Sequence, residues 1–193
     1  LATDTYIKSD DPNEISATGL LKPIKSIILS ERASIQRDEA ITSGEFSLLD
    51  TLNKPDLQGF VKSRTGTAIH DAVEGAWLTN YKEALRDLGY GDTFIKRIVL
   101  NPESPQELAE DAIVVYTEKR LKRKIGKNTI SGELDFVFDK VIQDLKTTTT
   151  YAFKYVDEEK HAMQMSIYHW IFASHGIELD TQAQVNYLFT DWS

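Results

Sequence analysis

Residues 132–147 read GELDFVFDKVIQDLKT, and the way they pair decides how the rest of the chain is read. Two alternating apolar and polar runs flank Asp139-Lys140. Period-two alternation belongs to a half-buried strand, and two residues make the shortest hairpin loop. With Phe138 facing Val141, pairing steps back in register. Asp135 then falls opposite Asp144, and Glu133 opposite Lys146. Alternation puts Glu133, Asp135, Asp144 and Lys146 on one face. Leu134, Phe136, Phe138, Val141 and Leu145 take the other, where Gln143 is the polar exception. Two directly opposed aspartates repel unless a cation lies between them. Such a pair suits a hard divalent ion, Mg²⁺ or Mn²⁺. A lysine two residues further on can orient or deprotonate a water, or steady charge on a phosphate oxygen. Acid, acid and lysine on one face point to metal-assisted phosphodiester hydrolysis. The plain alternative is a solvated acidic sheet face, and a bulge would move the register.

Outward from the hairpin, residues 112–119 are β-branched and read as a strand, and 184–190 as a last one. Residues 157–173 are amphipathic and helical. A helix is expected to start at Thr65 or Gly66 and to run to Leu88, with Gly89 or Gly91 ending it. Residues 15–33 have helical spacing, with Pro23 tolerable only in a first turn, and a short helix is expected over 45–52. The first dozen residues read as irregular. The order, helices then β, β, β, α, β, is that of an α/β protein with a mixed central sheet flanked by helices.

Within this frame the residues resemble a known family. Asp135, eight intervening residues, then Asp144-Leu145-Lys146 resembles the motif of the PD-(D/E)XK nuclease superfamily, without the proline of its name. Gln164-Met-Ser-Ile-Tyr168 is similar to the Q-x-x-x-Y motif of its RecB-like branch, and Gly66-Thr-Ala-Ile-His70-Asp-Ala-Val-Glu74 to that branch's histidine motif. Ser16-Ala-Thr18, Leu20-Leu21-Lys22-Pro23 and Ser30-Glu31-Arg32 are similar to its N-terminal helical segment.

The resemblance spans roughly residues 15–190. It implies a restriction-endonuclease-like fold in one nuclease domain, 1–60 mostly helical and 61–193 the catalytic α/β core. It implies a metal-dependent exonuclease on DNA ends, in recombination, repair or phage DNA processing, in the cytoplasm of a bacterial or phage-infected cell. A structure-specific or single-strand endonuclease, or an inactive nucleic-acid-binding subunit, stays open. His70, Asp135, Asp144 and the Leu145 carbonyl would hold one or two Mg²⁺ or Mn²⁺ ions. Lys146 would activate water, and Gln164 and Tyr168 would hold the lysine, waters or phosphate. Glu74, one helical turn after His70, and Glu118, at the end of a strand, are possible additional acids.

Composition bounds the rest. The chain has 193 residues, 41% of them hydrophobic and 27% charged, one domain's worth with a real core. It holds no cysteine, which excludes disulfides, thiolate zinc sites and an iron–sulfur cluster. No apolar run suits a membrane helix, no signal-peptide pattern stands out, and a chain starting at Leu1 reads as trimmed. Net charge is −8, so nucleic-acid binding needs a concentrated basic patch. Lys119, Arg120, Lys122, Arg123, Lys124 and Lys127, six basic residues in nine, form the one dense stretch. Their bland reading is a solvated strand and turn. Lys22, Lys25 and Arg32 could add a second wall. Tyr151, Phe153 and Tyr155 are the stacking candidates, whereas Trp77 and Trp170 read as core. His161 and His169 read as DNA-facing or surface residues.

Overall fold

The computed structural model of the protein describes residues 11–44 and 57–191. It is a mixed α/β protein built on a six-stranded sheet. The strands are β1 (Glu14–Ser16), β2 (Ile98–Leu100), β3 (Ile113–Ile125), β4 (Asn128–Phe138), β5 (Val141–Thr148) and β6 (Ala183–Phe189). The helices are α1 (Ala17–Leu20), α2 (Ile24–Ser43), α3 (Leu57–Asp87), α4 (Asp92–Lys96), α5 (Thr150–Phe153) and α6 (Glu158–Ala173). Strand order is β2-β3-β4-β5-β6, with β1 lying on β4. The β3–β4 and β4–β5 pairs are antiparallel, and β2–β3, β5–β6 and β1–β4 are parallel.

The hairpin forms as its sequence dictates. Asp139 and Lys140 have φ of 47° and 72°, the two positive values of a type I′ turn, and Phe138 faces Val141. The ladder then stops early. β4 and β5 pair only through Phe136↔Gln143, so the expected opposition of Asp135 and Asp144 and of Glu133 and Lys146 is not realised as a ladder. β1 occupies the same edge of β4 further down, at residues 129–131. Among the described residues, no strand covers that edge over residues 132–135. The gap between β1 and β5 is a fork in the sheet.

Two apolar clusters sandwich the sheet. One holds Tyr116, Ile130, Leu134, Val137 and Ile142 against Met165, Tyr168, Ile171 and Phe172 of α6. The other holds Ile113 and Val115, with Phe136 and Phe138 packed against Trp77, Tyr81 and Leu85 of α3. The single apolar hairpin face expected from alternation is therefore wrong. Leu134 faces α6 while Phe136 and Phe138 face α3. Leu134 and Val137, an odd step apart, share a face, as do Tyr116 and Leu121. Both strands slip by one residue at the same level. The slip sits where Glu118 takes φ 45° and its pairing with Asp135 is missing from an otherwise continuous β3–β4 ladder.

Other differences have local causes. Residues 14–16 are strand, because they pair with the open lower edge of β4, and Ser16 then caps α1 by accepting the Gly19 N–H at 3.0 Å. Pro23 ends that turn and starts α2, whose Ile24, Leu29, Ile35 and Ile41 stay exposed. The helix expected over 45–52 lies outside the described residues. α3 begins well before Thr65, is kinked at Asn80, and ends just ahead of Gly89 at φ 89°. β3 continues through the basic stretch to Ile125. Trp170, read as core, lies at the surface with the Arg123 guanidinium 3.9 Å above its ring. Trp77 is half-buried and packs against the core beside Phe136 and Phe138. Among the described residues, no helix is long and apolar enough to cross a membrane.

Gly132 lets α6 come close. A Cβ there would lie 2.9 Å from Tyr168 Cδ1 and 3.0 Å from Ile171 Cδ1. Gly132→Ala must push the Tyr168 ring aside, at a cost of about 1–3 kcal/mol, and a thermal melt is expected to show a Tm lower by roughly 3–10 °C.

Candidate metal centre

The fork is filled from both sides. α3 runs close to β5 at Gly66, where a Cβ would lie 3.2 Å from Thr147 Oγ1. One turn later His70 reaches the same strand, and its Nε2 lies 3.0 Å from the Leu145 carbonyl oxygen. A ring N–H donating there leaves Nδ1 of the neutral ring turned toward carboxylates. Nδ1 is 3.5 Å from Glu118 Oε1 and 3.6 Å from Asp135 Oδ1. One ligand atom from each of His70, Glu118 and Asp135 lies within 4.8 Å of the others. The slip in β3 and β4 is what turns both carboxylates toward α3.

Asp135 also repairs the broken ladder, since its Oδ2 accepts the Leu145 N–H at 2.9 Å. Burial and the nearby Asp144 push its carboxyl up to about 6, against the pull of His70, the Leu145 N–H and Lys146. His70 is pushed up as well, chiefly by its hydrogen bond to Glu118 and by the charge of Asp135, with burial opposing. Asp144 is 3% exposed, and Lys146 Nζ lies 2.8 Å from its Oδ1 and 2.7 Å from its Oδ2. Both oxygens therefore face the ammonium, and Asp144 is ion-paired by Lys146.

The rim is acidic too. Burial and Glu118 push the Glu74 carboxyl up. Burial does the same to Glu133, with Glu118 and Glu74 adding and Arg120 opposing. On the α6 side, buried Gln164 Nε2 donates to the Tyr168 oxygen at 2.8 Å. Burial, with Asp135, Asp144 and Glu133, drives the Tyr168 hydroxyl up. Tyr168, Glu118, Glu133, Asp135 and Arg120 line a cleft of about 210 Å³ together with residues 16–18.

The candidates thus gather in one place: His70, Glu118, Asp135, Asp144, Lys146, Gln164 and Tyr168, with Glu74 at the edge. The compact ligand group contains Glu118 rather than Asp144, which is held by Lys146, and Leu145 offers its carbonyl to His70. The donor set fits a divalent cation. Three N and O ligands converge within 4.8 Å of one another. Adjacent sites on an octahedral Mg²⁺ are about 3.0 Å apart, so the Nδ1 contacts need close by only about half an ångström.

The basic stretch is less available than its density suggests. Arg120 and Lys122 reach Glu14 at 3.5 and 2.7 Å, Arg123 donates to the Trp170 carbonyl, and Lys119 sits over the Tyr116 ring. Lys124 and Lys127 are exposed near the β3–β4 turn. Tyr151 and Tyr155 are 68% and 70% exposed and touch with their rings tilted, whereas Phe153 packs on Tyr187 and Phe189. His161 bonds to the Tyr187 hydroxyl at 2.9 Å and His169 to the Leu179 carbonyl at 3.1 Å. The sequence reading missed Asn101, whose side chain grips β3 beside Glu118. An asparagine before Pro102 was its only signal.

Metal-free protein is expected to lose stability as pH rises. Asp135 binds its proton more tightly folded than unfolded, so its share falls between about pH 4 and 6, by about 2–3 kcal/mol. The raised His70 adds a further loss above its unfolded value of 6.5. Melts in EDTA are expected to show that Asp135→Asn removes the Asp135 part of this slope and raises Tm at pH 8. Mn²⁺ should stabilise the wild type at pH 8 more than this variant. Comparison with protein-family models, curated proteins and solved structures finds no match.

Proposed function

We propose that the protein is a divalent-metal-dependent nuclease of the RecB-like PD-(D/E)XK type, with a restriction-endonuclease-like sheet, acting on DNA. The observation that carries this reading is the convergence of His70, Glu118 and Asp135 beside a buried Asp144 clasped by Lys146. The order of these residues along the chain also resembles that family's.

His70, Glu118 and Asp135 would hold the ion, while the Leu145 carbonyl orients the His70 ring and Lys146 holds Asp144 beside them. A bound Mg²⁺ or Mn²⁺ supplies Lewis acidity toward a phosphate oxygen and a water. The rest falls to the chain. Lys146 presents an ammonium that Asp144 keeps oriented, and that charge serves the extra negative charge of the phosphoryl transition state. Water adds to phosphorus, the bond to one ester oxygen breaks, and the proton released ends on the leaving oxygen. Gln164 holds the Tyr168 hydroxyl in place, and the raised hydroxyl remains a neutral donor for a phosphate or water. Exposed Lys124, Lys127, Tyr151 and Tyr155 are the groups for phosphates and unpaired bases. Attack at DNA ends is the first choice on the RecB-like resemblance.

The test is cleavage of linear and covalently closed DNA with Mg²⁺, Mn²⁺ or EDTA. Linear DNA is expected to be degraded only with metal. Cutting of closed circles would make it an endonuclease, and binding without cleavage would make it an inactive subunit. Lys146→Gln keeps a donor for Asp144 but removes the charge. It is expected to lower kcat by about 10²–10⁴ while Mn²⁺ binding persists. Near-native cleavage by this variant would overturn the role given to Lys146.

A further inference from the structure

β2 ends at Leu100, opposite Val115, because the next residues cannot continue a ladder. Asn101 is left-handed at φ 47°, and Pro102 has no N–H to give. The Asn101 N–H still donates to the Val115 carbonyl at 2.8 Å. Beyond that point its side chain replaces the missing strand. Oδ1 accepts the Thr117 N–H at 2.9 Å, and Nδ2 donates to Thr117 Oγ1 at 3.0 Å. Thr117 is 4% exposed, so its N–H depends on this partner.

The next residue is Glu118, at φ 45° with its carboxylate 3.5 Å from His70. A glutamate at positive φ is held against its own preference, so the chain beside it must be fixed. β4 pairs with Thr117 and Lys119 but not with Glu118. Thr117 is therefore the anchor on the N-terminal side, gripped by Phe136 of β4 on one edge and by Asn101 on the other. Asparagine suits the post. It tolerates the left-handed region, and it offers an acceptor and a donor at backbone-like spacing.

We propose that Asn101 is a positioning residue of the metal centre: its amide clamps Thr117 and thereby holds Glu118 in the left-handed conformation that aims its carboxylate at His70. This rests on reading His70, Glu118 and Asp135 as ligands. Without the clamp, the chain at Thr117 is free to rotate, Glu118 relaxes toward ordinary strand geometry, and its carboxylate leaves the cleft. No contact between Asn101 and the ion is needed.

Two readouts on the full chain test this: Mn²⁺ affinity by electron paramagnetic resonance, and the His70 ring signals of histidine-labelled protein in EDTA. Asn101→Ala is expected to weaken Mn²⁺ binding about tenfold or more and to displace the His70 signals. Asn101→Asp keeps an oxygen for the Thr117 N–H and can accept the Thr117 hydroxyl proton, so it should restore affinity to within about threefold. Wild-type behaviour of Asn101→Ala in both readouts would overturn the proposal, as would a folded Asn101→Asp that restores nothing. If the wild type binds no Mn²⁺, the metal reading fails. The His70 signals of metal-free Asn101→Ala then decide the positioning role, displacement supporting it and identity sinking it. If Asn101→Ala does not fold, Asn101→Ser replaces it, with a loss of about threefold or more expected; unchanged affinity and unchanged His70 signals would overturn the proposal.

Discussion

Glu118 and Asp135 stand opposite each other where β3 and β4 both slip by one residue, and the site follows from that level of the sheet. Below it, Leu134 packs on α6; above it, Phe136 and Phe138 pack on α3. A matched slip in two paired strands leaves their register intact on either side, so the sheet continues while two carboxylates are re-aimed. The β4–β5 ladder ends one step before the same level, at Phe136↔Gln143. Asp135 then uses its carboxylate where a backbone carbonyl would have served, and accepts the Leu145 N–H. Its other oxygen is left to face His70.

Several features of this arrangement cost stability. Asp144 is a buried carboxylate, Asp135 binds its proton tightly, and Glu118 sits at positive φ. Each is held by a neighbour: Lys146 on Asp144, Leu145 on Asp135 and His70, Asn101 beside Glu118. Local rules are broken in one place and obeyed around it, which is the usual mark of a site kept for its chemistry.

The charge distribution follows the same logic. Four of the six basic residues of the dense stretch are occupied by Glu14, Trp170 or the Tyr116 ring. They tie β1 and α6 to the long β3–β4 arm, and so fix the lower boundary of the fork. The density of lysine and arginine in the sequence measured structural need as much as surface charge. Lys124, Lys127 and the Tyr151–Tyr155 pair stay at the surface.

The hairpin was legible from residues 132–147 because a two-residue turn and period-two alternation leave one local register, and Phe138 does face Val141. Helical spacing likewise placed His70 on α3 and Gln164 and Tyr168 on α6, since one-turn neighbours share a face. The sequence by itself determined these elements and the set of acids, lysine and histidine they carry. It did not show where the alternation would slip. Nothing local distinguishes Glu118 from an ordinary strand residue. Its left-handed backbone directly follows Thr117, whose N–H is held by Asn101, sixteen residues before that threonine. Nor could it show β1, three residues whose strand state comes from pairing with the open edge of β4. Only the tertiary structure decided that Glu118 joins His70 and Asp135, that Asp144 is clasped by Lys146, and that the sheet forks between them. Those outcomes are settled by contacts between distant segments, where edge pairing, burial and like-charge repulsion outweigh what any single stretch prefers.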